Sequence, residues 1–232
     1  MFNTILVYPL LNLLVFFYHY IPDIGLVIII LTVIIRLLLL PSFQKSLRHQ
    51  KALTELQPKM DAIKEKHKDD KEQQAKALME LYQTHKINPL SSCLPLLIQL
   101  PILIALYQVF IRSLNGKALA GLYSFVPHPA QIDPMFLHWL NLSHPNVYMG
   151  VIAGLLQYLQ GRLQLPKTAS KDPTAKMLQV QTLYMFPLLT VFLGIKFPAG
   201  LTLYWIVTTL FGIAQQYYLL KSDEREVKYG LK

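Results

Sequence analysis

The chain is short of cysteine, of acid and of charge in general. Its single cysteine, Cys93, excludes a disulfide framework and any multi-cysteine metal cluster. Charged residues make up 15% of the chain, against roughly a quarter in an ordinary soluble domain. The 13 Asp and Glu and the seven His all lie outside the long apolar runs. That placement excludes a carboxylate proton relay, a cation site or an aspartyl protease dyad at bilayer depth. There is no HExxH zinc motif and no glycine-rich phosphate loop. Cys93 has no neighbouring histidine to activate it as a nucleophile. The expectation is a protein that is not an enzyme and uses no cofactor and no metal.

What the chain has is apolar mass: 53% of its 232 residues are hydrophobic, too many for disorder. They come in long runs. A helix crossing a hydrocarbon core of ~30 Å needs roughly 20 mostly apolar residues. Five segments meet or approach that length, and the chain divides accordingly. Residues 23–43 form span 1, whose apolar run begins at Gly25 and is interrupted by Thr32, Arg36 and Pro41. Residues 93–111, 147–161, 177–195 and 197–220 form spans 2 to 5. Lys196 and Pro198 make a tight hairpin between the last two. Residues 1–22 place Thr4, Tyr8, Asn12 and His19 near one helical face, with Phe2, Ile5, Leu6, Leu13, Leu14 and Phe17 on the other side. This pattern favours an interfacial helix over a sixth span. It is not that of a secretory signal.

Basic residues set the orientation. The segments 44–92, 162–176 and 221–232, with the first turn of span 4, hold nearly all the Lys and Arg outside the spans. Arg112, Lys117 and Lys196 are the only ones on the opposite side. Five spans with the N-terminus outside and the C-terminus in the cytoplasm follow. In 44–92, Leu53, Leu56, Met60 and Ile63 recur at helical spacing, as do Ala75, Leu78 and Tyr82. The segment therefore reads as a cytoplasmic helical hairpin, turning at residues 68–71, rather than as a solvated spacer. Its basic face suits anionic lipid headgroups or ribosomal RNA. The outer loop, 112–146, contains Pro127, Pro129, Pro134 and Pro145, which stop long helices. Its apolar stretch around Trp139 is expected at the outer interface.

Arg36 is the single charged residue deep inside a span, roughly 10 Å from the inner boundary at 1.5 Å per residue. A charge at that depth costs at least ~2.5–3.5 kcal/mol. The plain alternative is snorkelling to the inner headgroups. The chain offers no carboxylate at that depth, but it does offer neutral polar groups. Thr32 lies one turn before Arg36, Gln99 is in span 2, and Gln157 and Gln160 share a face of span 3. Thr202, Trp205, Thr209, Gly212 and Gln216 form a stripe in span 5. Singly, each is explained by interhelical hydrogen bonding worth about 0.6 kcal/mol. As a set they predict a water-filled cationic groove open to the cytoplasm. The expected fold class is thus an all-α membrane protein with five transmembrane helices around that groove, plus the interfacial helix and the hairpin. Such a groove suits a transient guest with polar or acidic groups. A small-solute transporter or channel is the alternative, although no pseudo-symmetric halves are visible.

Three stretches carry a family resemblance: Ile28-Ile-Ile-Leu-Thr-Val-Ile-Ile-Arg36-Leu-Leu-Leu-Leu-Pro41; Ile87-Asn-Pro-Leu-Ser-Ser-Cys93-Leu-Pro-Leu-Leu-Ile-Gln99-Leu-Pro101 with Ala105-Leu-Tyr107; and Phe197-Pro-Ala-Gly-Leu-Thr-Leu-Tyr-Trp205. In order and spacing they resemble the YidC-type membrane protein insertases, related to the Oxa-type and Alb-type proteins of organelles. The resemblance implies that Arg36 attracts the hydrophilic outer segment of a client, with Thr32 and Trp205 lining the groove. It implies nascent membrane proteins and the lipid bilayer as partners. The Sec translocon, the signal recognition particle system and the ribosome are further candidates, and DNA is not. It also implies a bacterial plasma (inner) membrane location, in keeping with the lack of a transit peptide. A form without the large outer domain and long basic tail of some members is expected.

Overall fold

A computed structural model describes residues 1–85, 94–114, 121–129, 131–165 and 173–228. Cys93, the Ile87 end of the second motif and the last four residues of the basic tail lie outside that set. So do parts of the expected outer and inner loops.

Proline shapes the helices. A π-helical turn, Asn3–Val7, leads into α1, Tyr8–Tyr20. Pro9 has no N–H to give the carbonyl one turn back, and the turn before it widens so that the Tyr8 N–H reaches the Asn3 carbonyl. The same device recurs before α8, Phe186–Lys196, where Pro187 follows the π-helical turn Gln181–Met185. Between α2, Ile24–Leu38, and α3, Leu40–Lys66, the chain bends by 66°. Pro41 explains it, since its ring and missing N–H break the ladder to Leu37. The apolar run read from sequence as one span to residue 43 is therefore bent at Leu39.

α3 and α4, Lys71–Thr84, form an antiparallel hairpin. Asp70 caps α4 by accepting from the Glu72 and Gln73 N–H groups at 3.1 and 2.9 Å. The seam residues Met60 and Tyr82 meet, with the phenol 3.9 Å from the thioether sulfur. α5, Leu94–Leu114, contains Pro101. A two-residue ribbon follows, β1 Met135–Phe136 against β2 Leu140–Asn141, antiparallel. It turns through Leu137 and His138, both at positive φ (50° and 63°). Then come α6, Val147–Gln164, α7, Pro173–Val180, and α9, Ala199–Lys228. Nothing between Leu220 and Lys228 breaks a helix, so α9 continues through most of what the sequence suggests is a tail.

The core lies among α1, α2, α5, the described residues between Leu122 and Leu142, and the start of α9. It includes Leu11, Leu14, Ile24, Ile28, Leu106, Phe110 and Leu142. The face of α1 that is buried carries Val7, Leu10, Leu11, Asn12, Leu14 and Val15. Asn12, expected on a polar outer face, instead clasps the loop. Its amide donates to the Gly121 carbonyl (2.9 Å) and accepts from the Tyr123 N–H (2.7 Å). α6 and α8 approach through glycine: a Cβ built on Gly194 would lie 2.6 Å from the Gly150 Cα. The outward faces of α6 and α8 leave Val151, Ile152, Leu155, Leu159, Leu188, Leu189 and Phe192 exposed. No single described helix is long and apolar enough on its own to cross a membrane; α2 and α3 reach that length and composition only as a bent pair.

Candidate functional site: an arginine among neutral polar side chains

Arg36 sits in the last turn of α2, half-buried, where the helix ends at the bend. The guanidinium carbon lies 4.5 Å from the centroid of the Phe43 ring, which belongs to α3 on the far side of that bend. No carboxylate among the described residues pairs with it. Two features hold the charge instead. The unsatisfied carbonyls at a helix C-terminus favour a cation by about 0.3–1 kcal/mol, more where partly buried. A cation over an aromatic face contributes roughly 0.5–2 kcal/mol. Together these are comparable with the ~2.5–3.5 kcal/mol insertion cost of a mid-bilayer arginine. Neither consumes the in-plane N–H donors.

The neighbouring helix α9 packs along α2 and brings Tyr204 within electrostatic range of Arg36. Tyr204 is buried, and its hydroxyl accepts a hydrogen bond from the Gln99 side-chain amide of α5. Arg36, Tyr204 and Gln99 thus gather where α2, α5 and α9 meet. Thr32 is on the same helix but buried, its hydroxyl donating to the Ile28 carbonyl at 2.6 Å. Thr209 is buried too and donates to the Trp205 carbonyl at 2.9 Å, while Trp205 itself is half-buried. Thr202 lies buried against α8, its methyl near Gly194.

The two glutamines of α6 stand elsewhere. Gln157 accepts from the Thr190 hydroxyl of α8, an interhelical bond of the ordinary kind. The Gln160 amide occupies the space left by Gly212 of α9, where a Cβ would come within 2.3 Å of its nitrogen. Further along α9, Gln215 Nε2 and Gln216 Oε1 are buried with no hydrogen-bond partner among the described residues. Buried polar atoms of this kind ordinarily hold water or a guest.

Sequence reasoning did not name Phe43, Tyr204, Thr190 or Gln215 as site residues. Tyr204 and Gln215 stand at helical spacing beside the recognised stripe, so periodicity would have found them. Phe43 would have required knowing the bend.

Apart from one two-residue ribbon the described fold is all-α, with leucine and phenylalanine exposed on α6 and α8 and a half-buried arginine near neutral polar side chains. Residues 16–226 match the family described as 60Kd inner membrane protein, and the chain belongs to that family. It is 36% identical over 218 residues to a "Membrane protein insertase YidC" of Pelobacter propionicus, covering 94% of this chain and 39% of that protein. A protein of the same name from Oleidesulfovibrio alaskensis is 36% identical over 220 residues, covering 95% and 39%. The chain spans about two fifths of the length of these relatives. A crystal structure described as an active YidC insertase with its first transmembrane domain resolved is similar with a TM-score of 0.66 and 29% identity. That match covers 94% of this chain and 46% of the solved one. The resemblance drawn from the three motifs is therefore shown.

Proposed function

We propose that the protein is a membrane protein insertase that receives nascent membrane proteins near Arg36 and releases their spans sideways into lipid. The observation that carries this reading is Arg36 itself: a half-buried cation with its hydrogen-bonding donors unmatched by any acid among the described residues. The names of the relatives support the same class of activity.

In this reading a client reaches the α3–α4 hairpin and enters a hydrophilic groove bounded by α2, α5, α6 and α9. Its polar outer segment is held briefly by the guanidinium, with Gln99, Trp205 and Thr209 along the path. Gln157 and Gln160 hold α6 against α8 and α9, and the Thr32 hydroxyl is taken up by the Ile28 carbonyl of its own helix. The polar segment crosses a shorter low-dielectric path than it would in bare lipid, so the barrier falls. Partitioning of the client's apolar span drives the step, aided by the membrane potential on charged tails. No nucleotide and no metal enters the scheme. The chain crosses the inner membrane five times, N-terminus outside and C-terminus in the cytoplasm, with residues 1–22 at the outer interface. The exposed apolar faces of α6 and α8 meet lipid. The Sec translocon, the signal recognition particle system and the ribosome are the partners to test first.

Insertion of radiolabelled clients into proteoliposomes tests the proposal. Arg36→Ala is expected to lower insertion of a client with an acidic outer tail at least ten-fold, and Arg36→Lys to retain most of it. Equal insertion by the alanine variant would remove the electrostatic role. Solute flux in the absence of any client would point to a transporter.

A further inference from the structure

From the cation–π contact we infer that Phe43 is a positioning residue for Arg36: its ring holds the guanidinium while leaving its N–H donors free for an incoming acidic segment. This inference rests on the insertase reading above. Phe43 is buried at the start of α3, beyond the bend at Leu39, and the Cζ atom of Arg36 stands over its ring at 4.5 Å.

Arginine's guanidinium is flat. Its donors lie in the plane, in a fork that matches a carboxylate bidentately. An aromatic ring against the flat face removes one face from solvent and leaves that fork open. A lone arginine on a flexible four-bond stem samples many rotamers, and each must be abandoned when a client binds. A ring that already holds the face removes much of that loss. An acidic partner would have done the opposite, consuming the fork. The neighbouring acceptor, the Tyr204 hydroxyl, already takes a hydrogen bond from Gln99. Among the described residues, Phe43 is the side chain seen to fix this cation without neutralising it. An ammonium can also sit over the ring face, which is in keeping with the activity expected of Arg36→Lys. Because Phe43 lies on α3, the orientation of Arg36 is tied to the first turn of the hairpin rather than to α2 alone.

The test uses the full chain in proteoliposomes with two clients, one with an acidic outer tail and one with a neutral tail. Phe43→Leu keeps bulk and loses the π face; Phe43→Trp keeps the face. The leucine variant is expected to lower insertion of the acidic-tail client about five- to thirty-fold, the loss of one cation–π contact, and to leave the neutral-tail client within two-fold. The tryptophan variant is expected to retain both. In an Arg36→Ala background, Phe43→Leu is expected to add nothing. An equal loss for the two clients, or a normal acidic-tail client where Arg36→Ala alone is impaired, overturns the inference and leaves the insertase reading standing. A normal acidic-tail client with Arg36→Ala overturns both. Should the leucine variant fail to fold, solid-state NMR on the unaltered chain in lipid decides: a through-space contact between Arg36 Cζ and the Phe43 ring supports the inference, and its absence overturns it.

Discussion

A charge inside a helix bundle is normally matched by an opposite charge, because an unmatched one is costly. Arg36 is instead held by a helix end and a ring. The contrast with Asp23 is instructive. Asp23 is also buried, and both its oxygens are used: one accepts from the Leu26 N–H at 3.0 Å, capping α2, and the other from the Leu137 N–H at 2.7 Å. It pins the positive-φ turn of the β1–β2 ribbon to the start of α2. Asp23→Ala removes a cap worth typically ~1 kcal/mol and a charge-assisted hydrogen bond worth ~1.5–3 kcal/mol. The expected outcome is a loss of about 2–4 kcal/mol, read as a lower unfolding temperature in detergent. Arg36→Ala, by contrast, is expected to keep or raise that temperature while abolishing work on acidic clients. One buried charge stabilises the fold, and the other is kept for a guest.

At the scale of elements, proline and glycine do most of the shaping. Pro41 ends α2 beneath Arg36, and so places Phe43 where it meets the guanidinium. Glycine governs the other side of the molecule, where α6 and α8 touch through Gly150, Gly154 and Gly194. Gly194→Val would drive side-chain atoms into the Gly150 backbone. The overpacking is expected to cost about 1–3 kcal/mol, seen as a lower melting temperature and as a wider α6–α8 distance by spin-label spectroscopy. Gly150→Ala, whose Cβ would meet backbone at 3.2 Å, is expected to be milder. The helical hairpin was legible because Met60 and Tyr82 fall on seams with a clear 3.6-residue period. The bend at Leu39 was not, because a proline near the start of a helix and a proline inside one look alike in sequence. The π-helical turns were hidden for the same reason. The ribbon at Met135–Phe136 was hidden because two-residue strands leave no periodicity.

At the scale of the whole molecule, composition carried the class. Long apolar runs, acids kept out of them and one arginine left inside pointed to an all-α membrane protein, and family membership follows from the match over residues 16–226. The site was only partly legible. Gln99 meets Tyr204 of α9, which lies beside rather than on the stripe read from the sequence, while Thr202 packs against Gly194 of α8, Gly212 against Gln160 of α6, and Gln157 pairs with Thr190 across α6 and α8. Sequence cannot rank polar residues of neighbouring helices without their rotation about the helix axes. The proposed topology has its own test. Single cysteines replacing Trp139, which is 75% exposed, and Lys68, in a Cys93→Ser background, are to be labelled in intact cells with an impermeant thiol reagent. Labelling is expected at position 139 from outside, and at position 68 only after the membrane is opened.

The most direct measurement is photocrosslinking to a stalled, acid-tailed client from two positions on the chain. Trp205, half-buried on α9 beside Tyr204, represents the groove; Leu189, exposed on the outward face of α8, represents the lipid side. The account predicts crosslinks from position 205 that fall sharply with Arg36→Ala, and few from position 189 before release. Crosslinks of equal strength from both positions, indifferent to Arg36, would contradict it.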